Sequence, residues 1–142
     1  MWYQKITHGV EVSVRPLYRR KDSSPKENLF VWTYQIKIRN LSDLPVQLIS
    51  RYWQITDAAG NVQKVHGPGV VGERPVIEPS QTFEYSSFTH LTTALGHMAG
   101  HYEMVSTNGR SFDVEIPRFP LTMPVRLVND TLQSEPVEMN LQ

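Results

Sequence analysis

Hydrophobic and polar residues alternate along most of the chain, with the period of two that is typical of half-buried β-strands. Val10, Val12 and Val14 begin one such run, which continues to Tyr18. The clearest run covers residues 30–38, where aromatic and β-branched residues occupy every second position. Both runs predict strands that place one face in a hydrophobic core.

Further strands are predicted at residues 46–56, 61–65 and 81–88, with turn-forming residues between them. The alternation changes phase between Leu48 and Ile49, which indicates either a β-bulge or burial on both faces. The Asn108-Gly109 pair predicts a hairpin, and a two-residue turn there would place Val105 opposite Phe112. Residues 90–100 contain small side chains and two glycines, and this segment is predicted to be irregular.

About seven strands at regular spacing, with no apolar 3.6-residue period, predict an all-β fold of the β-sandwich type. The pattern alone leaves a closed barrel open as the alternative. Prolines at positions 117, 120 and 124 place the last extended segment at a sheet edge. We expect one domain over residues 1–130, followed by a flexible acidic tail over residues 131–142.

Composition narrows the functional classes. The 142 residues include no cysteine, so disulfides and thiolate metal sites are excluded. The N-terminus lacks the apolar core of a signal peptide, and no apolar run is long enough to cross a bilayer. We therefore expect a cytoplasmic protein without membrane insertion. Residues 1–40 carry eight basic against three acidic side chains, which is typical of a solvated strand edge or of a surface for acidic partners.

A glycine-rich segment offers the first candidate site. Gly67, Gly69 and Gly72 have the G-x-G-x-x-G spacing of phosphate-binding loops, and His66 and Arg74 flank them. A dinucleotide site also needs a helix directly after the glycines, but prolines follow at positions 75 and 79, so that site is rejected. These five residues could bind an anion through backbone N–H groups and the two side chains. The alternative is a tight loop whose glycines serve only packing.

Catalytic and metal-binding patterns are weaker. His97 and His101 are candidates for a zinc or cobalt site if a third ligand joins them, and otherwise have local polar roles. No nucleophile elbow or compact carboxylate set accompanies them, so no catalytic residue is assigned. The Arg51-Tyr52-Trp53 run could stack on bases, but Trp53 lies in a strand pattern that favours core packing, and no nucleic-acid partner is expected.

Six segments together resemble the ApaG domain family: residues 30–40, 46–57, 65–75, 83–87, 96–102 and 112–119. The resemblance extends from Val10 to Leu121 in the family's order. Tyr52 stands where histidine is more usual, and Pro68 follows the first glycine where an acid is often found. Ser80 lies in a Pro-Ser-Gln turn that replaces the more usual Pro-Gly-Glu.

The resemblance implies a fibronectin type III-like, immunoglobulin-like β-sandwich in a free-standing bacterial protein. Bacterial members are associated with cobalt and magnesium efflux or resistance, and a nucleotide or pyrophosphate role has been suggested for the family's glycine loop. We therefore expect a non-enzymatic binding module for protein partners or a phosphate-containing ligand, with an indirect effect on cobalt and magnesium homeostasis. A divalent cation or pyrophosphate is the candidate cofactor. The alternative is a metal-assisted nucleotide or pyrophosphate phosphohydrolase, and homo-oligomerisation is left open.

Overall fold

The computed structural model describes residues 1–124, which form nine β-strands in two antiparallel sheets. The strands are β1 (Tyr3–Thr7), β2 (Val10–Tyr18), β3 (Phe30–Asn40), β4 (Val46–Asp57), β5 (Val62–Pro68), β6 (Val76–Ile77), β7 (Thr82–Leu91), β8 (Leu95–Ser106) and β9 (Ser111–Thr122). The predicted all-β sandwich is confirmed, and the two separate sheets exclude the closed barrel. The predicted boundary at residue 130 and the tail 131–142 lie outside the described residues.

The two sheets have the strand orders β1-β2-β3-β7 and β5-β4-β8-β9, and β6 pairs with one end of β4. One side of the sandwich is closed because β1 and β2 pack against β9. There the Lys5 ammonium lies 2.5 Å from a Glu115 carboxylate oxygen, and the Glu115 N–H donates to the Thr7 hydroxyl. On the opposite side, β5 and β7 are the unpaired edge strands. The prediction that the last segment forms an edge is confirmed by β9.

The core lies between the sheets and takes alternate residues from each strand. In β3 the even-numbered positions from Phe30 to Asn40 are buried, as the period-two pattern predicts. Trp32 is fully buried among them, and its indole N–H donates to the Thr122 carbonyl across the sandwich at 2.9 Å. Tyr102 and Phe119 fill the core from the other sheet. These aromatic side chains bury large apolar areas and so contribute substantially to the stability of the sandwich, together with the aliphatic residues of the core.

Asn40, at the end of β3, is a fully buried polar residue. Its amide nitrogen donates to the carbonyls of Leu44 and Ile77 at 2.7 and 2.9 Å. Its amide oxygen accepts from the backbone N–H and the hydroxyl of Ser42 at 2.9 and 2.6 Å. The side chain thereby uses all four of its hydrogen-bonding positions, and it fixes the β3–β4 loop and β6 to the core.

The expectation that residues 90–100 are irregular is wrong. Strand β7 continues to Leu91, and β8 begins at Leu95. Glycines occur in this strand because neighbouring backbone comes very close: a Cβ on Gly100 would lie 2.0 Å from the Tyr52 carbonyl oxygen. Of the two explanations offered for the phase change in β4, the bulge is confirmed by a register shift between Leu48 and Ser50. Strand β1 was not predicted from the sequence.

The hairpin between β8 and β9 has a longer turn than predicted. The Gly109 N–H donates to the Ser106 carbonyl at 2.9 Å, and Gly109 has a φ of +81°. This is a three-residue loop with glycine in the left-handed region, instead of a two-residue turn. The register therefore moves by one residue, and Val105 pairs with Ser111 rather than Phe112.

Candidate functional site

The glycine-rich segment follows the edge strand β5, and its first part belongs to that strand. Beyond it, the Gly69 N–H donates to the Ile49 carbonyl of β4 at 2.8 Å. Val70 and Glu73 then pair through two backbone hydrogen bonds of 2.8 and 2.9 Å. Val71 and Gly72 complete this turn with φ values of +43° and +81°. The backbone N–H groups of positions 69, 70 and 73 are thus occupied by the chain itself.

The five predicted loop residues occupy different surroundings. Gly67 lies within β5, whereas Gly69 packs so closely on Glu73 that a Cβ would lie 2.1 Å from its carbonyl oxygen. Arg74 packs beside Gly69, since that same Cβ would lie 3.3 Å from its Cγ. His66 instead points to the outer face of the five-stranded sheet, beside Tyr52, with 6.2 Å between ring centroids. The structure therefore joins Arg74 to Gly69 and places His66 with another group of side chains.

That group is a row of side chains across the outer face of the five-stranded sheet. The pairing register aligns His66 of β5 with Tyr52 of β4, Tyr52 with His101 of β8, and His101 with Glu115 of β9. The Tyr52 and His101 rings are stacked at 5.0 Å with an interplanar angle of 20°. Lys5 extends the row through its ion pair with Glu115. We call these five residues the outer-face row.

A groove of about 480 Å³ lies along this row, between β4, β8 and β9. Its walls include Tyr52, His101 and Glu115, together with Asp113 and Arg118. Side chains of both charges therefore lie around an aromatic centre. Such a surface can form hydrogen bonds with an extended polar segment of another molecule, while the flat aromatic ring packs against that segment.

The two histidines considered for a metal lie on the same strand and face. His97 and His101 are four residues apart in β8, which separates their backbones by about 13 Å. Arg118 lies 3.3 Å from the His97 Nδ1 atom, and burial together with that guanidinium lowers the pKa of His97. Within residues 1–124, no three His, Cys, Asp or Glu side chains converge as a metal site requires. The structure does not bring these two histidines together.

On the inner side of the same sheet, Arg51 contacts the glycine-rich segment through its carbonyls. Its Nη1 atom donates to the carbonyl oxygens of Pro68 and Gly69 at 3.0 and 2.9 Å. Gly67 leaves space for the guanidinium, because a Cβ there would lie 3.0 Å from Nη2. The carbonyl oxygens of the glycine-rich segment thus hold the Arg51 guanidinium in place.

Three tyrosines surround this arginine. The hydroxyls of Tyr85 and Tyr102 are buried and 2.6 Å apart. Burial raises the pKa of both groups and of Tyr34, while the nearby Arg51 charge acts in the opposite direction. All three phenols therefore remain neutral at physiological pH.

Comparison with known proteins identifies the family. The ApaG domain pattern matches residues 20–106. The chain belongs to the ApaG domain family. Protein ApaG of Brucella anthropi is 53% identical over 122 residues, covering 86% of this chain and 94% of that protein. The Brucella canis protein of the same name is 51% identical over the same length and coverage. The crystal structure of an ApaA protein from Bordetella pertussis has a TM-score of 0.79 at 42% identity, covering 87% of this chain and 97% of that one.

In this ApaG domain, the segment 46–57 and the glycine loop meet on both sides of one sheet. Tyr52 faces His66 on the outside, and Arg51 binds the loop carbonyls on the inside. The sequence pattern suggested Arg51 only as part of a run that could stack on bases, and it pointed to no role for Glu115. The available signal was the alternation of β4, which puts neighbouring residues 51 and 52 on opposite faces.

Within residues 1–124, no helix has the length and apolar character needed to span a membrane.

Proposed function

We propose that this ApaG-family chain is a non-enzymatic binding module that docks a protein partner on its outer-face row. The observation that carries the proposal is the alignment of His66, Tyr52, His101 and Glu115 across β5, β4, β8 and β9, beside a groove of about 480 Å³. Tyrosine and arginine are the residue types that most often dominate binding energy at protein interfaces. Tyr52 at the centre and Arg118 on the groove wall supply both types.

The mixture of charges around Tyr52 supports a partner whose contact surface is polar rather than hydrophobic. Asp113 and Glu115 stand on one wall, and Lys5 and Arg118 stand nearby. Charges of both signs near an interface centre select partners by complementarity and penalise mismatched surfaces. We propose that the module acts in the cytoplasm and that its effect on cobalt and magnesium homeostasis is indirect, exerted through this partner.

Site-specific cross-linking tests the docking face. The photo-reactive amino acid p-benzoylphenylalanine is placed at position 52 and, as a matched control, at position 84 on the outer face of the other sheet, where Glu84 is exposed. We expect discrete cross-linked species in bacterial extract for position 52 only, and unlabelled wild-type protein should compete them away. Identical products at both positions contradict the proposal.

Unlabelled variants of the protein, used as competitors in the same experiment, test the role of Tyr52. Tyr52→Ala should compete at least about tenfold less well, because it removes the central ring of the face. Tyr52→His should compete almost normally, since an imidazole can also stack on His101 and is the more usual residue in the resembling family. Equal competition by Tyr52→Ala and the wild type, with both folded by circular dichroism, refutes the outer-face row as the docking site.

A genetic test addresses the link to cations. In a bacterium lacking its own ApaG-family gene, the wild-type chain should restore growth at raised cobalt, and Tyr52→Ala at equal protein level should not. Full restoration by Tyr52→Ala separates the cation phenotype from the outer-face row and refutes that part of the proposal.

A further inference from the structure

A second concave region lies on the open side of the sandwich, where the edge strands β5 and β7 face each other without pairing. It has a volume of about 310 Å³ and is separated from the outer-face row by the sheet itself. Its lining includes Tyr34, Arg51, Trp53, Val65, Ser87 and Phe88. We call it the edge groove. An aromatic lining with one cationic group is typical of sites for small ligands.

Arg51 is held rigidly at this groove but is not neutralised there. Its Nη1 donors are taken by the carbonyls of Pro68 and Gly69. Among residues 1–124 the ion pairs are Lys5–Glu115 and Arg19–Asp22, and neither involves Arg51. A guanidinium has five N–H donors, so the Nε and Nη2 donors stay available to an acceptor from outside.

The groups around Arg51 do not supply a negative charge. Tyr34, Tyr85 and Tyr102 are ionisable groups that interact with Arg51, and burial keeps their phenols protonated, while His90, which also lines the groove, carries no negative charge. The two carbonyl hydrogen bonds offset part of the hydration that this half-buried cation loses, but they supply no net negative charge, so an anion that enters the groove meets an unneutralised guanidinium. The planar fork of arginine matches the two oxygens of a carboxylate or phosphate.

The groove is backed by aromatic rings, of which Tyr34 and Trp53 are buried beneath its floor. The Tyr34 and Trp53 rings pack edge to face at 5.4 Å between centroids. Phe88 lies at the rim of the groove with 69% of its surface exposed. An exposed phenylalanine at the rim of a groove that also holds a fixed cation fits a ligand that has an apolar body and an anionic end.

We infer that the edge groove binds a small organic anion, whose carboxylate or phosphate group contacts Arg51 and whose apolar part contacts Phe88 at the rim. The volume is at the lower end of the range for ligand pockets, which corresponds to a ligand about the size of one or two rings. The glycine loop takes part by orienting Arg51 with its carbonyls, and its N–H groups are not the anion contacts. This site is independent of the outer-face row.

The test uses four defined probes and NMR detection. Phenyl phosphate and phenylacetate each combine a ring with an anion, inorganic phosphate has only the anion, and benzyl alcohol has only the ring. We expect both ring-bearing anions to shift the Arg51 Nε–H resonance and the amides of Val65 and Phe88, with weaker effects from the other two probes. The tighter binder of the first pair identifies the ligand's anionic group as phosphate or carboxylate.

Matched variants separate the two halves of the site. Arg51→Lys should weaken phenyl phosphate about tenfold or more, because the bidentate fork is lost. Phe88→Ala should weaken phenyl phosphate while leaving inorganic phosphate unchanged. Arg110→Lys is the control, since Arg110 is exposed on the β8–β9 hairpin beside the ring of Phe112, at 5.9 Å from its centroid.

Several results overturn the inference. Benzyl alcohol binding as tightly as phenyl phosphate shows that Arg51 contributes no charge recognition. Anion-induced shifts confined to the amides of residues 69–72 place the anion on the loop instead. A small site of this kind should bind with millimolar affinity, so the absence of any shift with every probe at about 50 mM shows that the edge groove binds no such ligand. If Arg51→Lys does not fold, the Phe88→Ala comparison and the uncharged probe still decide the question.

Discussion

Replacing Asn40 by alanine should be among the most damaging single changes in the sandwich. The side chain is fully buried and makes four hydrogen bonds of 2.6 to 2.9 Å, two to carbonyls and two from Ser42. Each is worth about 1 kcal/mol net, and the groups left behind include buried carbonyls that lose a donor. We therefore expect the free energy of unfolding to fall by about 3–5 kcal/mol, a large part of the 5–15 kcal/mol usual for a domain.

Urea unfolding followed by tryptophan fluorescence measures this loss, and an unchanged m-value shows that the comparison is valid. Ser42→Ala removes only the hydroxyl bonds at the exposed end of the network, so about 1 kcal/mol is expected for it. Asn40→Asp keeps the side chain's shape but turns oxygen towards the carbonyls of Leu44 and Ile77. Its loss at neutral pH should match or exceed that of alanine, and should shrink as acid protonates the new carboxyl.

The reasoning is refuted if Asn40→Ala lowers the free energy of unfolding by less than about 1 kcal/mol at an unchanged m-value. It is equally refuted if Asn40→Asp is as stable as the wild type at neutral pH. Either result means that the loop and β6 can find other partners for the four groups that Asn40 now satisfies.

Three further predictions concern the strands and the loop. Burial raises the pKa of Tyr85 and Tyr102, so above the unfolded phenol pKa of about 10 the native state binds more protons than the unfolded state, and stability falls as pH rises. Absorbance at 295 nm should therefore show the ionisation of these two phenols only when the circular dichroism signal of the fold is lost. Ionisation of either phenol before that loss contradicts the prediction. Val71→Asn should raise the free energy of unfolding, measured in urea, by about 1 kcal/mol, because asparagine tolerates the φ of +43° and the side chain at position 71 is 55% exposed. A lower free energy of unfolding in this variant would show that the backbone at Val71 is not strained. Gly100→Ala should cost about 2–3 kcal/mol in the same assay, because its Cβ collides with the Tyr52 carbonyl, and a neutral result would show that the strands can separate freely.

Much of the fold could be predicted because burial imposes a period of two on each strand. In β3 every second residue from Phe30 is buried, and the sequence shows this directly. The start of β8 could not be predicted in this way. Gly96 and Gly100 read as breakers, yet they occur where backbone carbonyls of β4 leave no room for a side chain, and only the pairing reveals this.

The candidate site was harder to predict because it depends on which strands are neighbours. His66 and His101 are far apart in sequence, and they meet through Tyr52 only because β4 lies between β5 and β8. The anchoring of Arg51 depends likewise on the loop folding back over β4. The glycine spacing drew attention to this segment, but spacing alone cannot tell whether its carbonyls hold an arginine of the same chain or its N–H groups bind an anion.

Strand β5 directs consecutive residues to opposite sides of its sheet: His66 joins the outer-face row, and Gly67 makes space for Arg51. An insertion or deletion of a single residue within β5 before His66 would exchange these orientations, turning the imidazole inward and the glycine outward. Both surfaces would be lost together, although every amino acid type would still be present. The register of β5 against β4 is therefore as much a determinant of the molecule as its composition, and length changes should be tolerated in the exposed turn 58–61 but not within residues 62–65.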